Sequence, residues 1–187
     1  MDPDLREGWR AECVVRALRF AAEAHQGQSV PGTELPYLLH LVQVMTEMAA
    51  ALQVEPAEDA ELSMLCAVLH DTVEDTRVTV ETIATQFGDA VAAGVLALSK
   101  DGALQKADRM QDSLQRIRLQ SHAVWKVKLA DRITNLQSPP SGWSREKAEA
   151  YQAEARQILG ALGASSPVLS ARLKARIEAY TTFLAGI

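Results

Sequence analysis

Cysteine is scarce in this chain: two residues, Cys13 and Cys66, out of 187. Two thiols do not make a disulfide scaffold. Cys66 falls among apolar residues at helical spacing and reads as a reduced core residue. Long apolar runs are missing too. No uncharged stretch approaches the roughly 18 residues that a membrane span needs. Residues 1–7 are polar and acidic, which is wrong for a signal peptide. A surplus of positive charge is also missing. The net charge is −5, which argues against a generic nucleic-acid binder. There is no convincing strand alternation, internal repeat or low-complexity tract. These absences lead to an expectation of a cytoplasmic protein that has neither nucleic acid nor membrane as partner.

What is present is ordinary for a globular chain: 48% hydrophobic and 23% charged residues. At this length one domain with a proper core is expected. Helical periodicity is strong throughout. Residues 5–26 read as a first helix, with Val14, Leu18, Ala21 and Ala22 at helical steps. Residues 28–36, with Pro31, Gly32 and Pro36, read as a loop. Helices follow at 37–52, 58–71, 79–86 (Thr79 as N-cap), 90–98, 104–120 and 123–136. The last two are 145–159, capped by Ser144 and stopped at Gly160, and Pro167 to about 185. In the helix at 123–136, Val127, Ala130, Ile133 and Leu136 form the apolar face. The reading is an all-α fold, a single-domain helical bundle of about eight to ten helices.

Charge is unevenly placed. Residues 55–89 hold nine acids and one base, and residues 100–132 hold eight bases and four acids. One region could hold a metal ion and the other phosphates, although solvated helix faces would look the same. The acidic region peaks at residues 65–76. Its first half is apolar, with Leu62, Leu65, Cys66 and Leu69 on one helical face. Its second half packs His70, Asp71, Glu74 and Asp75 into six positions. If the helix runs on, Asp71, Glu74 and Asp75 share a face and repel one another unless a cation sits among them. Asp131 lies in a strongly apolar helix, where burial without a partner is unfavourable. Asn135, one turn on, shares its face. His70, Asp71 and Asp131 would supply three ligands from two helices. A fourth could be His25 or His40, since His122 flanks a helix start and reads as exposed.

His70-Asp71 with a distant Asp131 resembles the HD-domain metal phosphohydrolases. The longer match is to the hydrolase domain of the Rel/SpoT alarmone proteins, above all the stand-alone small alarmone hydrolases. Five motifs run in the family's order. They are Ala-His-x-Gly-Gln at 24–28, Pro-Tyr-x-x-His at 36–40 and His-Asp-Thr-Val-Glu-Asp-Thr at 70–76. Lys-Leu-Ala-Asp-Arg-x-x-Asn-Leu at 128–136 and Gly-Trp-Ser at 142–144 complete the set. The resemblance implies that the fourth ligand is His40, so that His40, His70, Asp71 and Asp131 hold Mn2+. Zinc, iron or cobalt would suit the same mixed ligands. His25 is then a histidine that fixes the loop. The resemblance further implies that Glu74 and Asp75 are the catalytic acid pair. The implied substrate is a nucleotide carrying a 3′-pyrophosphate, (p)ppGpp or (p)ppApp, hydrolysed to release pyrophosphate. Lys106, Asn135 and Tyr151 match substrate-contacting positions, Lys147 stands where arginine is frequent, and Lys100 is a further candidate.

Two departures accompany the match. The family follows Gly-Gln with Arg and Lys, which pack against the base, whereas Ser29, Val30 and Pro31 stand here. The family's His-Pro is His40-Leu41. The first departure predicts weaker selection of guanine over adenine. Two other readings compete: an HD phosphohydrolase acting on another nucleotide, and a catalytically silent nucleotide-binding module. An intact ligand set beside an acid pair favours the enzyme.

Overall fold

Helix α8, His122–Asn135, is the hub of the fold. Eleven of its residues are buried, among them Val127, Ala130 and Ile133 and also Lys126, Lys128, Asp131 and Arg132. The computed structural model describes residues 8–57, 59–139 and 142–184. Around α8 stand α1 (Ala11–Ala24), α2 (Leu38–Val54), α3 (Ala60–Leu69), α4 (Thr72–Asp75), α5 (Val80–Phe87) and α6 (Asp89–Leu98). They are followed by α7 (Lys106–Arg118), α9 (Arg145–Leu162), a short 3₁₀ turn over Gly163–Ser165 and α10 (Pro167–Leu184). Helices α2 and α3 pack on each other and on α8, while α9 and α10 cover its other side. Among the described residues there is no strand, apart from an isolated bridge between Ser29 and Pro36. The all-α expectation holds. No helix of the described residues is long and apolar enough to cross a membrane.

The local reasons are those that the sequence offers. Thr79 Oγ1 accepts the amide of Thr82 at 3.3 Å, and Ser144 Oγ accepts that of Lys147 at 3.3 Å, so both N-caps form. Gly88 closes α5 at φ +93°, a conformation that a Cβ disfavours. The expected start of the first helix at 5–7, position 58, Pro140, Ser141 and the terminus from 185 lie outside the described residues.

Three elements differ from expectation. Helix α9 runs through Gly160 to Leu162, because Ile158 and Leu162 are both fully buried and hold the turn helical. Helix α3 is buried nearly all round from Ser63 to Leu69, since α1, α2, α6 and α8 all pack on it; Leu62, expected inside, is half-buried. The helix at 58–71 does not run on: α3 ends at Leu69, and α4 starts afresh at Thr72. Thr72 Oγ1 donates to the Leu69 carbonyl at 2.6 Å, a side-chain bond that competes with the helical ladder.

Candidate metal centre

The break between α3 and α4 builds the site. Successive side chains on a regular helix point about 100° apart. At the break His70 keeps helical dihedrals (φ −55°, ψ −34°) while Asp71 departs to φ −97°, ψ −3°, and the two side chains bring Nε2 and Oδ2 to 2.9 Å. His40, in the first turn of α2, puts its Nε2 3.4 Å from His70 Nε2, 3.5 Å from Asp71 Oδ2 and 3.4 Å from Asp131 Oδ1. His70 Nε2 lies 3.7 Å from the same Asp131 oxygen. Donor atoms of His40, His70 and Asp131 all fall within 4.8 Å of one another. Atoms held about 2.0–2.2 Å from one divalent ion lie about 3–3.5 Å apart, so His40, His70 and Asp131 fit a single ion, with Asp71 Oδ2 beside the two imidazoles.

The ring tautomers fit as well. His70 Nδ1 donates to the Ala67 carbonyl at 2.9 Å, which leaves Nε2 as the lone-pair nitrogen of a neutral ring. Thr134 gives its hydroxyl proton to the Asp131 carbonyl at 2.8 Å, so its oxygen, 3.4 Å from His40 Nδ1, is free to accept from that ring. Both carboxylates have further partners, Asp131 on both oxygens and Asp71 on the oxygen that faces the imidazoles. Lys128 Nζ lies 3.1 Å from Asp131 Oδ2, and Asn135 Nδ2 donates to Oδ1 at 2.5 Å. Tyr37 donates its hydroxyl to Asp71 Oδ2 at 2.5 Å.

The electrostatics ask for positive charge at this point. Burial opposes a charged His70, but the carboxylates of Asp71 and Asp131 outweigh it and push its pKa up to about 10. Burial likewise opposes the charged carboxylates. The His70 ring keeps Asp71 below the usual carboxylate range, and the Lys128 ammonium and both rings do so for Asp131. Protons on the imidazoles or a divalent ion among the ligands can supply that charge.

The acid pair lies at the end of α4, and its two members have different surroundings. Asp75 is exposed, with Oδ2 3.5 Å from the Tyr37 hydroxyl; partial burial and then the charges of Asp71 and Glu74 raise its pKa. Glu74 accepts the backbone amide of Lys100 through Oε2 at 2.7 Å, and its Oε1 lies 3.4 Å from Lys100 Nζ. The Lys100 ammonium resists burial and is kept charged by Glu74 and then Asp131.

The remaining candidates spread outward. Asn135 is spent on Asp131. Tyr151 lies under the Arg132 guanidinium, 4.2 Å from ring centroid to Cζ, and meets Trp143 edge-on at 5.3 Å. Burial pushes its hydroxyl up to about 12, against the pull of Arg132. Lys147 Nζ sits 4.2 Å above the Trp143 ring. Lys106 is exposed at the first position of α7, and no hydrogen bond or ion pair among the described residues ties it to the centre. His25 is buried, bonded to Gln28 at 2.8 Å and stacked on Tyr37 at 4.8 Å, and Gln28 in turn donates to the Asp75 carbonyl. It braces the loop rather than joining the cluster of His40, His70 and Asp131. His122 is exposed, as expected.

Sequence reasoning overlooked Tyr37, Lys128, Thr134 and Arg132. Lys128 had a usable signal, because a lysine three residues before a buried aspartate faces it on a helix. Beside Asp75 opens a cleft of about 690 Å³ lined by Phe20, Gln28, Arg77 and Thr82. None of His40, His70, Asp71 and Asp131 lines it.

A family model described as HD domain matches residues 17–167. Among curated proteins, the guanosine-3′,5′-bis(diphosphate) 3′-pyrophosphohydrolase MESH1 of Danio rerio is 31% identical over 166 residues, covering 86% of this chain and 90% of that protein. The Homo sapiens protein of the same name is 31% identical over 172 residues, covering 89% and 94%. A solved structure described as "A metazoan ortholog of SpoT hydrolyzes ppGpp and plays a role in starvation responses" superposes with a TM-score of 0.78 at 27% identity. That match covers 91% of this chain and 96% of the other.

Proposed function

The chain belongs to the HD-domain family, and from that premise we propose that it is a metal-dependent alarmone hydrolase removing the 3′-pyrophosphate of (p)ppGpp. The observation that carries this reading is the meeting of His40, His70 and Asp131, with Asp71 at 2.9 Å from His70, at a helix break that ends in an acid pair. The relatives named for this reaction, matched along nearly their whole length, support it. The enzyme unit in this reading is the whole HD-type domain, working in the cytoplasm.

His40, His70, Asp71 and Asp131 would hold the ion, Mn2+ in our reading. When bound, a divalent ion supplies Lewis acidity, drawing charge from phosphate oxygens and acidifying water. The protein does the rest. Lys128, Asn135 and Tyr37 fix the two carboxylates so that one oxygen of each faces the imidazoles. One carboxylate of the acid pair Glu74–Asp75 receives the proton of the attacking water. The water oxygen bonds to the phosphorus attached at the ribose 3′-oxygen, the bond from that phosphorus to O3′ breaks, and O3′ takes up a proton. Pyrophosphate leaves, and the 5′-phosphorylated nucleoside remains. Lys100, Lys106 and Lys147 offer charge to the phosphates, with Asn135 and Tyr151 beside the centre.

The loop bears on the base. Val30 donates to the Leu35 carbonyl at 2.8 Å and Tyr37 to that of Gln28 at 3.0 Å, so the segment carrying Ser29, Val30 and Pro31 is a closed hairpin that bears no cation. Tyr151 cannot replace a stacking cation on the face that Arg132 covers. Loss of one stacking partner is worth about 1–3 kcal/mol. We therefore extend the reading to (p)ppApp as an accepted substrate.

The test is product identification with metal-loaded protein. With ppGpp we expect pyrophosphate and GDP; release of orthophosphate, or no reaction, would contradict the assignment and favour another nucleotide or a silent binding module. The ratio of kcat/KM for ppApp over ppGpp should be near or above one. A ratio well below one would show that guanine is selected without those cations.

A further inference from the structure

The two members of the acid pair are bonded differently, and the difference divides their work. Glu74 Oε2 takes the amide proton of Lys100 at 2.7 Å, a short bond of a charged acceptor. Its other oxygen reaches Lys100 Nζ at 3.4 Å, which is long for a charge-assisted bond. The anchor is therefore the backbone, and the ammonium is exchangeable. The segment that Glu74 grips, residues 99–105, is clamped elsewhere too. Arg116 donates to the Ser99 carbonyl at 2.8 Å, and Arg109 donates to the carbonyls of Gly102 and Leu104 at 2.8 and 2.9 Å. Glu74 is the clamp that comes from the metal side of the molecule. Asp75 makes no such tie; its carboxylate is exposed beside Tyr37.

We propose that Glu74 is a positioning residue which ties the 99–105 segment to the metal centre and presents the Lys100 ammonium to the substrate's 3′-phosphates, leaving the water's proton to Asp75. The inference rests on the hydrolase reading above. On phosphate binding, the Lys100 ammonium exchanges its 3.4 Å contact for a phosphate oxygen, while the 2.7 Å backbone bond keeps the segment in register. A carboxylate whose nearer oxygen is committed to an amide is a poor proton acceptor, and Asp75 has no such commitment.

The experiment compares Glu74→Gln, Glu74→Ala, Asp75→Asn and Lys100→Met in the metal-loaded protein. Two readouts are needed: steady-state kinetics on ppGpp and amide hydrogen exchange of residues 99–105. Glu74→Gln keeps an oxygen for the Lys100 amide but loses the counter-charge, so exchange stays at the parent level and activity falls through KM. Glu74→Ala speeds exchange across the segment and raises KM about tenfold, the scale of a lost charge-assisted bond. Lys100→Met raises KM similarly, and the Glu74→Ala/Lys100→Met double variant raises it no further than either alone, because both act through one contact. Asp75→Asn lowers kcat by about 10²–10⁴-fold at little change in KM. A Glu74→Gln variant that loses kcat a hundredfold at unchanged KM would overturn the proposal, as would unchanged exchange in Glu74→Ala. If the parent does not turn over ppGpp, the hydrolase reading falls, whereas the exchange data still decide whether Glu74 ties the segment.

Discussion

Tyr37 has one hydroxyl proton and gives it to Asp71 Oδ2 at 2.5 Å, the same oxygen that lies 2.9 Å from His70 Nε2. Its ring is stacked on His25 and tilted against His40, so the phenol cannot turn away. Tyr37→Phe removes the donor and keeps the ring. Asp71 then loses the bond that aims it, and affinity for a divalent ion should fall about 10-fold or more, the usual consequence of losing a bond behind a metal ligand. Competitive titration against a chelating dye checks this, and unchanged affinity would mean that Asp71 is aimed by the backbone alone. Titratable residues in an apolar helix stand out in a sequence, which is how Asp131 and His70 became candidates. Their supports do not stand out. The partner of Tyr37 is 34 positions away, and only the fold brings them together. Asn135 shows the opposite limit: its place beside Asp131 was legible from the i+4 spacing, but its amide is spent on that carboxylate at 2.5 Å.

Helices α3 and α6 meet at Gly94, where a Cβ would lie 2.7 Å from Cys66 Sγ and 3.0 Å from Val124 Cγ2. Alanine is favoured over glycine in a helix by about 1 kcal/mol. The overlap outweighs this gain, since overpacking a buried contact costs about 1–3 kcal/mol. Gly94→Ala should therefore lower Tm, and adding Cys66→Ala should recover part of the loss by vacating the sulfur's place. A higher Tm for Gly94→Ala alone would show that the helices can part at no cost. Most elements were legible from periodicity and caps, Thr79 and Ser144 among them. The break at His70–Asp71 was not, because the apolar run carries straight into the acids and nothing in the spacing marks the Thr72 hydroxyl as a competitor for the Leu69 carbonyl. Gly160 misled for a related reason. A Cβ there would meet nothing within 4 Å, so the glycine is a tolerated helix residue rather than a stop.

Across the whole molecule, the basic stretch from Lys100 to Arg132 is less of a phosphate surface than its composition suggests. Lys126, Lys128 and Arg132 are buried, Lys128 against Asp131 and Arg132 between Tyr151 and Glu154. Arg109 and Arg116 are spent on backbone carbonyls around residues 96–104. Charge counted along a chain says nothing of which cations the core will claim. The acidic stretch divides likewise: Glu61 is tied to Arg10 at 2.6 Å and held down at about 2, whereas Asp71 turns inward to the histidines. The two regions pack together along α3 and α8, and Glu74 lies against Lys100 where they approach the histidines and Asp131. What the proposed function requires is one ion at one site. The direct measurement is a manganese titration of chelator-treated protein, with pyrophosphate release from ppGpp followed at each addition. Activity should rise linearly and saturate at one ion per chain, and Asp131→Ala, folded by circular dichroism, should neither bind the ion nor release pyrophosphate. Full activity in the chelated protein, or in Asp131→Ala, would contradict it.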